Sequence, residues 1–162
     1  MFAPRLREGD FVAYITVKDS YPPVAFGHWR LVAMLRVAHR FESHIDAAAW
    51  YRERGYPLPS NCMVAENACF PYDMTAGTEA RRFGNVADID ELLRRWDLSY
   101  HRRTRRNGVF LACDVGFLSL DSPPVLTEAD LLQVFGRVPA TRTPPAITEV
   151  QYDALHALAL RN

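Results

Sequence analysis

The chain is nearly devoid of lysine. Of nineteen basic side chains, only Lys18 is not arginine, so a compact ammonium that can shift its pKa on burial is on offer at one position alone. Cysteine is also scarce. Cys62, Cys69 and Cys113 are an odd set with no CxxC pair, which excludes a disulfide framework and the usual structural zinc spacings. Net charge is missing as well: nineteen acidic groups balance the nineteen basic ones. The chain as a whole is therefore no polyanion binder, and any such surface must be local. Apolar runs stay well short of the roughly 18 residues that a membrane-spanning helix needs, and the opening MFAPRLREGD carries charge where a secretory leader would be apolar. These absences lead to the expectation of a reduced, cytoplasmic protein with no membrane partner. No phosphate-binding glycine loop, HExxH or GxSxG occurs, so no cofactor and no metal are expected.

What is present is ordinary globular material. The 162 residues are 49% hydrophobic and 23% charged, which suits a single folded domain over residues 1–162 with a helical C-terminal extension. In FVAYITVK, residues 11–18, one parity carries Phe11, Ala13, Ile15 and Val17 and the other Val12, Tyr14, Thr16 and Lys18. That alternation predicts a strand with one apolar face and one that turns polar toward its end. Residues 30–41 form a near-continuous apolar run suited to a central strand, joined to the first through the loop DSYPPVAFGHW as an antiparallel hairpin. Ser43 predicts a helix over 44–54 stopped by Gly55. A short strand is expected at CMVAE, residues 62–66, a short helix at 88–95, and a third strong strand over 108–120. Thr127 to Asp130 and Thr148 to Gln151 are capping-box sequences, each opening a helix. Val150, Leu155, Leu158 and Ala159 are expected to face the core from the last. The fold class is α+β, with a curved, mainly antiparallel sheet or small barrel and flanking helices.

Two features point to chemistry. Between residues 81 and 106 stand eight arginines, densest in His-Arg-Arg-Thr-Arg-Arg, with Trp96 and Tyr100 just before. Guanidinium groups pair with phosphates while rings stack on bases, so Arg102, Arg103, Arg105 and Arg106 are candidate contacts to a nucleic-acid backbone. Tyr21, Phe26, His28 and Trp29 fall in the first hairpin connection, where loop aromatics can cage a planar ring.

The order Gly9-Asp10-Phe11-Val12-Ala13-Tyr14, a loop, Leu31-Val32-Ala33-Met34-Leu35-Arg36-Val37 and then Trp50-Tyr51 resembles the PUA-like superfamily, closest to its EVE and ASCH branches. The resemblance covers roughly residues 8–54 and, more loosely, 108–160. It implies a small β-barrel with flanking helices whose pocket receives nucleic acid, RNA or DNA, often at a modified base. Carried over by position, the pocket-side end of the first strand is Tyr14, Thr16 and Lys18. EVE-like chains have a strand and a Trp-containing segment before the Gly-Asp element, so here one cage wall is expected to be missing or to come from elsewhere. Residues 60–77 have no counterpart in the pattern. There Ser60, Asn61, Glu66 and Asn67 can offer the donors and acceptors of a base edge, or serve as turn residues.

The leading expectation is a nucleic-acid-binding module without catalysis. Its ligand residues are Tyr14, Thr16, Lys18, Trp29, Ser60, Asn61 and Asn67. The alternative is a small hydrolase of a nucleoside-like amide, since some ASCH-type proteins use a Lys-Thr-Glu arrangement that Lys18, Thr16 and Glu66 would match here. A protein–protein adaptor is the third reading.

Overall fold

The apolar parity of residues 11–15 and the run that follows the loop pair as an antiparallel hairpin. In the computed structural model, which describes residues 5–64, 67, 108–140 and 145–161, strand β1 spans Phe11–Ile15 and β2 spans Trp29–Phe41. Their register runs from Phe11 opposite Arg36 to Tyr14 opposite Ala33, then slips so that Ile15 faces Leu31. Val32 is the extra residue, a bulge that resets which way β2 faces. Trp29, Leu31 and Met34 accordingly enter one core despite their mixed parity.

The first strand ends earlier than its alternation suggests. Past Ile15 the ladder is carried by a side chain: Arg30 N donates to Thr16 Oγ1 at 2.9 Å while Thr16 N donates to Arg30 O at 2.9 Å. Pairing resumes only at Asp19 and His28, which exchange two backbone hydrogen bonds of 3.0 Å.

β3 spans Phe110–Leu118 and lies beside β2 in the order β1-β2-β3. β4, Val125–Leu126, pairs antiparallel with the start of β2, Trp29 opposite Leu126. The architecture is α+β with a mostly antiparallel four-stranded sheet, open among the described residues. Helices α1 (His44–Glu53), α2 (Glu128–Phe135) and α3 (Glu149–Ala159) follow their caps. Thr127 and Thr148 each complete a capping box, and Gly55 and Gly136 stop their helices at φ +67° and +68°, a region that a Cβ disfavours. No described helix is long and apolar enough to cross a membrane.

The chain divides into two compact units, Met1–Leu6 with His39–Ala112 and Arg7–Ala38 with Cys113–Asn162. In the second, Trp29, Leu31, Met34, Leu126, Leu131, Leu155 and Leu158 form the core, with Ala13, Ile15 and Phe117 against it. Val150 departs from expectation: at the first turn of α3 it is 78% exposed, and Tyr152 packs on the core in its place. In the first unit Ala47 and Ala48 of α1 pack on Cys62, Val64 and Phe110. Of the strand expected at 62–66, Cys62, Met63 and Val64 are buried and Val64 forms a β-bridge, while residues 65 and 66 lie outside the described residues. The helix expected at 88–95 lies outside the described residues.

Candidate functional site

In the second unit the loop between Asp19 and His28 is built from its own side chains. Ser20 N donates to Asp19 Oδ1 at 2.7 Å, and the Tyr21 hydroxyl reaches back to Val17 O at 2.9 Å. Val24 N closes a turn on Tyr21 O at 3.0 Å around a cis Pro22–Pro23 peptide. Arg30 fixes the loop from below: its Nη2 donates to Tyr21 O at 3.2 Å and Pro22 O at 2.9 Å, and its Nη1 to Pro123 O at 2.8 Å.

His28 is fully buried beneath that loop, edge-on to the rings of Tyr21 and Phe26 at 5.5 Å each. Its Nδ1 is 2.7 Å from Phe26 O, which assigns the proton to Nδ1 and leaves Nε2 an acceptor. That Nε2 has no partner among the described residues. Above it Phe26 is 59% exposed. An exposed ring held edge-on by a buried imidazole is a surface on which a planar group can stack.

The sequence-derived ligand residues fall in different settings. Tyr14 points outward on the solvent parity of β1. Thr16 spends its hydroxyl on Arg30 N. Lys18 passes alongside Gly27, pairs with Glu128 Oε2 at 3.3 Å and stands 4.9 Å over the Trp29 ring. Because the strand stops at Ile15, Tyr14, Thr16 and Lys18 do not share one strand face. Trp29, read from the sequence as a loop aromatic, opens β2 and is a core residue. What buries it is β4, too short to leave a period in the sequence, together with α2 and α3.

In the first unit Ser60 and Asn61 are exposed in a turn. Asn67 is buried and donates through Nδ2 to Pro59 O at 2.9 Å and Cys62 O at 2.7 Å, bracing that turn. Glu66 and the arginines 102, 103, 105 and 106 lie outside the described residues. Two features there were not singled out from the sequence. His44 is buried against Phe110, and its Nδ1 accepts from Met63 N at 2.9 Å; burial pushes its pKa down to about 4. Arg54 lies 4.1 Å over the ring of Trp50, near the exposed Tyr56. Burial and the neighbouring Asp114 push the Cys113 thiol up, a direction that disfavours the nucleophilic thiolate. Among the described residues no His, Cys, Asp and Glu side chains gather as a metal site.

No family model, no curated protein and no solved structure matches this chain.

Proposed function

We propose that the chain is a nucleic-acid-binding module that seats a base, a modified one being the favoured ligand, on the loop between Asp19 and His28. The observation that carries this reading is the exposed Phe26 ring, held edge-on to the buried imidazole of His28. The ring offers a stacking surface, worth roughly 1–3 kcal/mol per base. Lys18 beside Gly27 offers a cation to a phosphate. In this reading the antiparallel sheet belongs to a small PUA-like barrel, and Arg102, Arg103, Arg105 and Arg106 track the backbone.

The test is a fluorescence-anisotropy titration of labelled oligonucleotides, modified and unmodified. Phe26→Ala, an exposed substitution that leaves the fold intact, should weaken binding roughly 5- to 150-fold. Equal affinity for the variant and the parent, or no affinity for any oligonucleotide in the parent, would sink the reading.

A further inference from the structure

Arg30 holds a charge that nothing among the described residues of its unit balances. Three backbone carbonyls take three of its four Nη–H donors, leaving one on Nη1, but carbonyls bring no counter-charge. Its Nε is buried with no acceptor, and it makes no ion pair with any described residue. The same residue lines a cavity of about 410 Å³, whose walls include Ser119, Ser122, Phe117, Val125 and Ala159. Neither serine hydroxyl is engaged by another described group.

A partly buried guanidinium without a carboxylate is costly unless an anion completes it. The cavity volume lies within the range of small-molecule sites. Three donors on three residues, one of them charged, suit the several oxygens of a phosphoryl group better than the two of a planar carboxylate. The apolar walls can take the organic part of the molecule.

We propose that this cavity binds a terminal phosphate, a phosphate monoester, with Arg30 supplying the charge and Ser119 and Ser122 supplying hydroxyl donors. The site shares no residue with the Phe26 loop face, so its test can be read separately from that of the base-binding reading. Its anion would also lock the loop, because the same guanidinium holds the carbonyls of Tyr21 and Pro22.

Arg30 substitutions remove the loop clamp as well as the charge, so the test rests on Ser119→Ala/Ser122→Ala. ¹⁵N-labelled protein is titrated with adenosine 5′-monophosphate, a 5′-phosphorylated oligonucleotide, the same oligonucleotide unphosphorylated, and adenosine. The expected result is a saturable NMR shift of the Ser119 and Ser122 amides and of Arg30 Nε–H with the phosphorylated ligands only. The double variant should bind them about tenfold more weakly or worse at an unchanged melting temperature. Tighter binding of the mononucleotide identifies a small metabolite as the source, and tighter binding of the phosphorylated oligonucleotide identifies a nucleic-acid end; either supports the site. Shifts that adenosine reproduces, affinity the double variant retains, or no response to either phosphate would overturn it. Loss of oligonucleotide binding in Phe26→Ala with these shifts intact would separate the two sites.

Discussion

The hydroxyl of Tyr152 lies where Gly116 would carry a Cβ. The tyrosine reaches there from α3 with its ring 4.6 Å from that of Phe11, so one side chain ties the helix to β1 and to the backbone of β3. Only a residue without a side chain admits that approach.

Gly116→Ala should therefore destabilise the protein by about 1–3 kcal/mol through overpacking. The hydroxyl is the atom in the way. In a Tyr152→Phe background the same substitution should cost clearly less, because the next ring atom is 3.3 Å from the added carbon. Urea unfolding of the four proteins in a double-mutant cycle measures the coupling, and additive costs would show that this close approach does not constrain the fold.

Much of the fold was legible in local chemistry. Ser43, Thr127 and Thr148 cap helices where the sequence places them, because a capping oxygen and its N–H are only three residues apart. Of the apolar parity Phe11, Ala13, Ile15 and Val17, Ala13 and Ile15 pack on the core, while Val17, past the end of β1, is exposed. What escaped was set by partners distant in sequence. Nothing near Trp29 announces β4, and nothing near Gly116 announces Tyr152. Arg30, at the head of an apolar run, reads as a strand-end surface residue until Tyr21, Pro22 and Pro123 are folded around it. Of the candidate site, aromatic and basic residue types were visible, but which ring stays exposed was not: Trp29 is taken by the core and Phe26 is left out.

His44 makes stability depend on pH. Its folded pKa of about 4 lies below the usual 6.5, so as the pH falls through 6.5 the unfolded chain gains a proton that the folded chain refuses. Stability contributed by the neutral imidazole is complete above pH 6.5, declines between 6.5 and 4, and is gone below. The total is about 3 kcal/mol. His44→Gln should flatten this part of the profile, read as the difference in unfolding free energy between pH 7 and pH 4.5. A variant with the parent's full decline would assign it to other groups.

Glu128 occupies the cation that the base-binding reading gives to phosphate. Because the pair is exposed, breaking it should cost no more than about 1 kcal/mol of stability. Glu128→Gln should then tighten oligonucleotide binding severalfold at low salt and steepen the log–log salt slope by the equivalent of about one neutralised phosphate. Weaker binding, or an unchanged slope, would remove Lys18 from the interface.

Replacing Arg102, Arg103, Arg105 and Arg106 together with Ala should lower affinity for all oligonucleotide sequences alike. The salt slope should flatten by roughly one unit for each phosphate that the variant no longer neutralises. If affinity and slope stay at parental values, the cluster takes no part in binding.

The bulge at Val32 gives β2 the pattern of a regular strand with one residue added. With Val32 removed, Leu31 and Met34 would stand two apart, the ordinary spacing for one face. A deletion there need not disturb which side chains enter the core. It would instead cost the strand the carbonyl that receives Ser119 N at 2.9 Å. The length of this strand is thus tied less to the core than to the segment that follows β3, and shortening it by one residue should alter the segment bearing Ser119 before it alters the fold.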